Sequence, residues 1–599
     1  MTALSLLCLF ALPQQNAVKG SPLTEANGHL TTTVGGLERT GASAKIVPTT
    51  NPAFAKALQV TIGRVSPETN WTQLTLPVVG KIQRGDVLMA TVVARGWRAD
   101  GKPARAEVLF ERATDPWTKS LTHGLVLSKN WKEYIVPFKA AESYTSGQAM
   151  LSLRLAFGSQ TVEVGELSVA GAGKGQSLES LVEFAAARNP ISNVSVAFDT
   201  KHPRQTMQGF GGNFCQPRYG STEAMDVVGR YALQNLRVAH ARVGLPLNDW
   251  TPDPGVYKDD AQAAASLRAL QEMSRRKIPT VVSIWEGPQW MLGGSREQMG
   301  RVLDPSKYEA CIEAIAAYLV VARDKYKAKV DYVSFNEPDY GVNFKFTSDT
   351  MRDFIRQAGP KFAARGLKTK FLVGDTANGT SVISYNTPIL SDPTIKQYLG
   401  PIAFHCWDVL SAPDEAYTGI ANLGKRFNKP VWCLEAGHDA QLWQKPTPWA
   451  SWENALRTAM AYERTLRLAR PSLIDYWTYQ DNYPLVDKNG PRPYPVFGVM
   501  KAMESVFAPG SKVLAPKAPT GDLQALATTG PKGRFAALLV NAQGPGRALL
   551  SGLRPRASVR ILTSHRTKQN VVKAAKTDAA GRLTIKIPTR SVVTLVSTP

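Results

Sequence analysis

Three regimes of hydrophobic and polar patterning follow one another along the chain. From about residue 21 to 175, segments such as DVLMATVVARG, WKEYIVPF, AMLSLRLAF and TVEVGELSVAG alternate apolar with polar positions, separated by Gly, Lys, Asn and Asp. A period of two places successive side chains on opposite faces of a strand, so this region predicts an antiparallel sandwich. A Gly-rich joint, GAGKGQS, then leads through a helical segment, LESLVEFAAARN, and a strand-like NVSVAFDT.

Between about 206 and 508 the pattern changes. Eight short apolar runs, TMQGFGG, LRVAHARVG, PTVVSIW, VDYVSFNE, KFLVGD, IAFHCWD, PVWCLEAG and LIDYWTY, are interleaved with amphipathic helical stretches. Between the third and fourth runs, Tyr308, Ile312, Ile315, Leu319, Ala322 and Tyr326 recur at three- and four-residue steps and form one apolar stripe, with Asp304 and Pro305 at its entry. Eight strands with intervening helices over about 300 residues is the arithmetic of a (β/α)8 TIM barrel. The last 90 residues return to alternation in RFAALLVNA, ASVRILTS and RLTIKIP, which predicts a second, smaller sandwich.

The fold class is therefore multidomain: a (β/α)8 TIM barrel with a side β-sandwich and an additional N-terminal β-sandwich of the jelly-roll kind. The expected boundaries are 1–20 for a signal peptide, 21–175 for the first sandwich, 176–205 for a linker plus a strand of the side sandwich, 206–508 for the barrel and 509–599 for the C-terminal side sandwich. The leader reading rests on ALSLLCLFAL, an apolar run too short to span a bilayer and followed by polar PQQNAVKGS, and implies a secreted or periplasmic protein. No later segment has the uncharged length of a membrane span.

Composition refines this picture. The chain has 599 residues, 43% of them hydrophobic and 20% charged, which is a globular balance. Five cysteines, Cys8, Cys215, Cys311, Cys406 and Cys433, show no CxxC spacing; Cys8 lies in the candidate leader and the other four read as buried thiols, and the seven histidines form no metal-ligand cluster, so no metal or cofactor is expected. The formal charge is +23, and residues 511–599 hold 15 basic side chains against Asp522 and Asp578. A basic surface attracts nucleic acid, anionic lipid or acidic polysaccharide, but the cations of this tail alternate with apolar positions as on a solvated sheet face, and no nucleic-acid-binding signature accompanies them.

The chemistry sits at strand ends. The fourth run finishes on Asn336, Glu337 and Pro338, and the seventh places Glu435 at the same rim, where a parallel barrel keeps its reactive groups. A lone Glu on a loop is a solvated residue; two at the ends of strands four and seven can face each other across the mouth. Such a pair suits glycoside hydrolysis, one carboxyl protonating the leaving oxygen and the other attacking carbon or activating water.

The Asn-Glu-Pro tripeptide and the strand-seven Glu resemble the retaining barrel glycoside hydrolases of clan A. Within the clan, QGFGGNF, ARVGLPLNDW, SIWEGPQWM and FGVMKAMESVFAPGSKVL resemble glycoside hydrolase family 30, over about residues 190–599. The resemblance implies Glu337 as acid/base, Glu435 as nucleophile, Asn336 on the sugar 2-hydroxyl and Arg242 holding Glu435 ionised. It also implies a side sandwich built from both sides of the barrel, which gives NVSVAFDT its place. Trp285, Trp290, His405, Trp407 and Trp477 would line the sugar subsites, with Glu286 the one rival carboxylate. Two departures flank those subsites: Glu286-Gly287-Pro288 stands where the family has Ser-Pro-Pro, and LEAG surrounds the nucleophile.

The first sandwich resembles jelly-roll carbohydrate-binding modules, with Trp97, Trp117 and Trp131 as candidate sugar platforms. Together these readings point to a retaining β-glycosidase, endo-acting on a polysaccharide of the xylan, β-1,6-glucan or β-1,6-galactan class. The alternatives are an exo-acting enzyme of the same clan and a non-catalytic polysaccharide-binding protein. The expected partner is a poly- or oligosaccharide, with no nucleic acid and no membrane span, and no oligomeric state is implied.

Overall fold

The computed structural model describes residues 19–597 apart from 65–68, 174, 192, 216–219, 296–297, 343, 446–447, 481–482 and 491. Residues 1–18, which hold all but the last two positions of the candidate leader and include Cys8, lie outside the described residues. The chain divides into two compact units, Met1–Ala185 and Ala186–Pro599.

In the first unit two antiparallel sheets face each other. One runs in the order Ser43–Pro48, Lys56–Ile62, Gln160–Ala172, Val87–Trp97, Lys132–Lys139, with Lys19–Pro22 also paired to Gln160–Ala172; the other runs Val34–Gly35, Gln73–Pro77, Ala149–Arg154, Ala104–Arg112, Lys119–Leu127. Their inner faces carry Val60, Val92, Val108, Phe110, Leu151 and Leu153, all fully buried, as the two-residue period requires. The three tryptophans are placed differently from one another. Trp117 is exposed on a loop. Trp97 and Trp131 share the Arg95 guanidinium, 5.9 and 4.9 Å from their ring centroids, and the edge of Phe54 also packs on Trp131.

The second unit is built on a closed parallel barrel of eight strands: β1 Gly209–Phe214, β2 Ala241–Leu245, β3 Thr280–Ile284, β4 Tyr332–Phe335, β5 Lys370–Thr376, β6 Leu399–His405, β7 Val431–Ala436 and β8 Leu473–Tyr476. All eight predicted runs are strands of this barrel. Parallel strands covered on both faces need apolar groups on both, which is why these segments read as short continuous runs. The predicted helix forms over Tyr308–Asp324 after a 3-10 turn at Pro305–Lys307, where the Asp304 carboxylate accepts from the Ser306 N–H at 2.8 Å. Tyr308, Ile312, Ile315, Leu319 and Ala322 are buried along its inner face.

Beside the barrel lie a three-stranded sheet and a six-stranded one. Val194–Ala197, from before the barrel, pairs in parallel with Gly546–Ser551, from after it, so chain on both sides of the barrel builds this side sandwich. The two sheets enclose a core that includes Val196, Leu539, Leu550, Ile585 and Leu595. The opposite face of the six-stranded sheet, with Leu526, Leu538 and Val540, joins the large core of the barrel and its helices.

One polar group in that packing has a measurable consequence. Glu504, on the helix Pro495–Val506, is nearly buried, and its Oε2 accepts from the Arg237 N–H at 3.0 Å. Burial pushes its carboxyl up to about 7, with the Arg237 hydrogen bond and charge opposing the rise. A carboxyl raised in the folded state binds its proton more tightly there, so stability falls as pH rises from the unfolded value near 4.5 through 7. Glu504→Gln keeps an acceptor for Arg237 and is expected to add on the order of 1–3 kcal/mol at pH 8 and little at pH 4. Thermal melts of both proteins across that range check it.

Candidate active site

Arg242, fully buried on β2, organises the mouth of the barrel. Its Nη1 donates to Glu435 Oε1 at 2.6 Å and to Asn213 Oδ1 at 2.9 Å; its Nη2 donates to Asn336 Oδ1 at 2.7 Å and to Asp375 Oδ2 at 2.8 Å. A planar guanidinium with five donors in a fixed fork can serve four acceptors from β1, β4, β5 and β7 at once, which an ammonium cannot. The sheet register brings these groups together: Asn213 stands beside Arg242 on neighbouring strands, and His405 beside Glu435. The Trp285 ring lies under the guanidinium, 4.4 Å from centroid to Cζ.

His405 ties the other side. Its Nδ1 faces Glu337 Oε1 at 3.0 Å and Glu435 Oε2 at 3.3 Å, and its Nε2 faces Asp375 Oδ1 at 3.1 Å. Burial works against the imidazolium, but Glu435 and the hydrogen bonds to Asp375 and Glu337 outweigh it and push the pKa up to about 10. For Asp375, burial alone would raise the carboxyl; the charge of Arg242 and the His405 contact reverse this and hold it well below the usual range. Ser334 adds a hydrogen bond to Asp375 Oδ2 at 2.8 Å.

Arg242 does lower the Glu435 pKa, but the net shift of this carboxyl is upward. Burial pushes this carboxyl up, the charges of His405 and Arg242 pull it back, and Glu337 and Asp375 add to the rise. The two cations therefore set how far Glu435 stays ionised. One oxygen of Glu337, one of Glu435 and a His405 nitrogen all lie within 4.8 Å of one another. That spacing would admit a divalent cation, but an imidazolium with both nitrogens facing carboxylates has no lone pair to give, and Glu435 already holds Arg242. The donor set fits proton handling better than metal ligation.

The local backbone is strained where the two arms meet. Glu337 and Asp375 both have left-handed backbone, with φ 46° and 59°, and the Glu337 N–H donates to the Asp375 carbonyl at 3.0 Å. Non-glycine residues pay about 1–2 kcal/mol for this conformation, and the Arg242 and His405 bonds hold both side chains in place against that cost.

Aromatic side chains form a packed wall beside these groups. Trp285 and Trp477 lie 6.0 Å apart between ring centroids, Trp407 packs on Tyr483 at 5.8 Å, and Trp449 packs on the same Tyr483 at 4.8 Å. The Trp477–Thr478 peptide is cis. Glu337, Glu435, Asn336, Arg242, Trp285, His405, Trp407 and Trp477 are thus assembled at one mouth. Trp290 is not part of this wall: its indole N–H donates to the Thr251 carbonyl at 3.0 Å and its ring packs on the main core. Glu286 is buried after β3. The sequence reading missed Asp375, Asn213, Ser334 and Tyr483. Only Asp375, an acid closing the apolar run KFLVGD, carried a signal that could have singled it out.

The four described cysteines are free and buried. Among the described residues no helix is long and apolar enough to cross a membrane.

His405 yields a pH prediction. Its folded pKa lies above the unfolded 6.5, so the stability it contributes is fully present below pH 6.5 and is lost as pH rises through 10. The loss should amount to a few kcal/mol, and His405→Gln should flatten the melting temperature between pH 6.5 and 10.

Comparisons with known proteins place the sequence and the fold beside carbohydrate-active proteins. No family model matches the chain. It is 24% identical over 270 residues, 39% of its length, to a Caenorhabditis elegans protein described as "Putative glucosylceramidase 1", and spans about half of that relative, 51%. To the lysosomal acid glucosylceramidase of Mus musculus it is 26% identical over 200 residues, 31% of this chain and 38% of the other. Among solved structures, the glycoside hydrolase family 30 subfamily 8 xylanase Xyn30A from Clostridium acetobutylicum superposes with a TM-score of 0.56 at 19% identity, covering 68% of this chain and 100% of that one. A family 30 endoxylanase from Clostridium papyrosolvens gives 0.55 at 17%, with the same coverage. The barrel and side sandwich thus share their fold with glycoside hydrolase family 30 structures, and part of the sequence is similar to proteins described as glucosylceramidases.

Proposed function

We propose that the protein is a retaining β-glycosidase, endo-acting on a β-linked polysaccharide of the xylan, β-1,6-glucan or β-1,6-galactan class. The observation that carries this reading is that one carboxylate oxygen of Glu337 and one of Glu435 lie within 4.8 Å of each other, both against His405 Nδ1. Carboxyl pairs about 5–5.5 Å apart work by double displacement, whereas inverting pairs stand about 6.5–9.5 Å apart to admit a water.

In this reading Glu435 attacks the anomeric carbon while Glu337 protonates the departing oxygen, giving a covalent glycosyl ester. Glu337, now a base, takes a proton from water, which releases the sugar with its configuration retained. The assignment of roles follows the surroundings. Glu435 is nearly sealed and paired with Arg242, as an anionic nucleophile needs, whereas Glu337 is partly exposed and can exchange its proton with water. Because Asn336 Oδ1 is taken by Arg242, its NH2 group is left to donate to the sugar 2-hydroxyl, a bond that strengthens in the transition state. His405, cationic and touching both carboxyls, tempers the repulsion when both are ionised. Trp285, Trp407 and Trp477 offer apolar faces to sugar rings. An exported enzyme would meet such polymers outside the cell, in keeping with the apolar segment ALSLLCLFAL.

The glucosylceramidase descriptions of the curated relatives favour a second reading, an exo-acting β-glucosidase. Reducing-sugar release from a panel of xylans, β-glucans and β-galactans, beside aryl β-glucoside hydrolysis, separates the two. Polymer cleavage into oligosaccharides supports the endo reading, monosaccharide release alone supports the exo one, and binding without release from any member would sink both.

A further inference from the structure

One sheet of the first unit carries on its outer face a row of polar groups that the core does not use. On the strands Lys56–Ile62, Gln160–Ala172 and Val87–Trp97 the register sets Gln59 opposite Glu163 and Glu163 opposite Arg95. Two residues along, it sets Thr61 opposite Thr161 and Thr161 opposite Trp97. Directly opposed residues point to the same side of a sheet, and so do residues two apart on one strand. These six side chains therefore share one face, while the alternate residues Val60, Val162 and Ala94 lie in the core between the sheets.

The six are wired together yet keep bonding capacity to spare. Glu163, only 4% exposed, accepts from Gln59 Nε2 at 2.8 Å on one oxygen and from Arg95 Nε at 2.6 Å on the other. This carboxylate fixes both neighbours. The Arg95 side chain is 35% exposed, and neither of its Nη atoms donates to an acceptor among the described residues; Gln59 Oε1 likewise receives no donor there. The Thr61 and Thr161 hydroxyls meet at 3.3 Å, which leaves each with further lone pairs. The aromatic residues divide by role. Trp131 is occupied by the Arg95 guanidinium, 4.9 Å from its centroid, and by Phe54, whose ring stands at 81° to it at 4.8 Å. Phe54 is itself seated over Gly165, where a Cβ would come within 2.2 Å of its ring. Trp97 is only partly buried, lies 5.9 Å from the guanidinium, and carries no other ring among the described residues. Of the three tryptophans expected as sugar platforms, Trp131 is thus a support, Trp117 belongs to a hairpin of the other sheet, and Trp97 is the available plane.

We propose that this face binds a neutral β-1,4-linked glycan, with one sugar ring laid on Trp97 and the hydroxyls of the chain bonded by Arg95, Gln59, Thr61 and Thr161. The chemistry of the row selects this ligand. Among the six residues Arg95 and Glu163 cancel each other, so the row has no net charge with which to hold a polyanion. Guanidinium, amide and hydroxyl groups supply the paired donors and acceptors that neighbouring sugar hydroxyls take up, and an indole face suits the apolar C–H side of the ring. The row crosses three strands, about 10 Å, which is the length of roughly two sugar rings. It runs out at exposed Thr61 toward the edge strand Ser43–Pro48, so it admits the middle of a chain and not only its end. A β-1,4-linked chain is a straight ribbon with hydroxyls along both edges, whereas an α-1,4-linked chain coils away from such a row. The inference does not rest on the hydrolase reading, since a binding face needs no turnover.

The test is adsorption of the full-length protein, in the cold, to insoluble β-1,4-xylan and to cellulose. Trp97→Ala should weaken binding to the preferred polymer about tenfold or more. Thr61→Arg, which blocks the row from an exposed position and keeps the melting temperature of the parent, should do the same. Trp117→Ala should bind as the parent does. Raising salt from about 50 to 500 mM should change the affinity less than about twofold, because no net charge is neutralised. The barrel mouth is the same in all these proteins, so adsorption through it would be equal in each; unchanged binding by Trp97→Ala and Thr61→Arg would overturn the proposal. So would adsorption to neither polymer, a loss in Trp117→Ala as large as that in Trp97→Ala, equally tight binding to amylose, or a steep fall with salt. Turnover of an aryl β-glucoside, measured alongside, should be equal in parent and variants, and its absence from the parent would bear on the hydrolase reading alone.

Discussion

Glu435→Ala is expected to lower kcat on the best polysaccharide substrate by about 10⁴-fold or more while leaving the protein folded. The magnitude follows from what is removed: without a nucleophile no glycosyl ester forms, and only binding and acid catalysis remain. The truncation also opens a space beside the anomeric carbon, next to Arg242 and His405. Added azide should enter it, attack in place of the carboxylate and restore turnover, giving a glycosyl azide of inverted configuration. Glu337→Ala should behave differently, retaining ester formation from substrates with good leaving groups and yielding an azide of retained configuration. Swapped azide stereochemistry between the two variants would reverse the assigned roles; no effect of either would remove the hydrolase reading.

Arg242→Met should be the most destabilising substitution at the site, by about 3–5 kcal/mol, because it leaves Glu435 and Asp375 buried with only His405 as counter-charge. The direction with pH is also set. In the parent, Arg242 and His405 hold Asp375 below its ordinary pKa, so its contribution to stability is present above the unfolded value and is lost as pH falls. In the variant the carboxyls are driven upward instead, and stability should improve as pH falls from 8 to 5. Urea denaturation of parent and variant at the two pH values reads this, the gain in stability on acidification being expected to be larger in the variant. Activity should fall about 10²–10³-fold, since Glu435 would no longer be held ionised and Asn336 would no longer be oriented. Arg242→Lys should recover part of the stability but little of the activity, since one ammonium cannot reach acceptors on four strands.

Part of this was legible from one-dimensional pattern. Each barrel strand announces itself as a short apolar run because both of its faces are covered, and Glu337 and Glu435 stand out because a carboxylate at the end of such a run has no packing reason to be there. Trp290 shows the opposite case. It follows strand β3 just as Trp285 does, yet its indole bonds to the Thr251 carbonyl and its ring packs against the core, partners that lie far from it in sequence or on other elements.

What the sequence determined by itself was the alternation of strands and helices, the closure count of eight, the two carboxylates and the excess of positive charge near the C-terminal end, all of which depend on residue type and spacing alone. What only the tertiary structure decided was the wiring between them. Asp375 becomes the link between Arg242 and His405 through the register of strands far apart in sequence, Glu435 is raised by burial that no local pattern encodes, and Arg547 meets Lys586 across a ladder whose strands are 39 residues apart. Hydrogen bonds and pKa values depend on distances of a few ångströms, and those distances are set by how the strands close, not by the order in which their residues are joined.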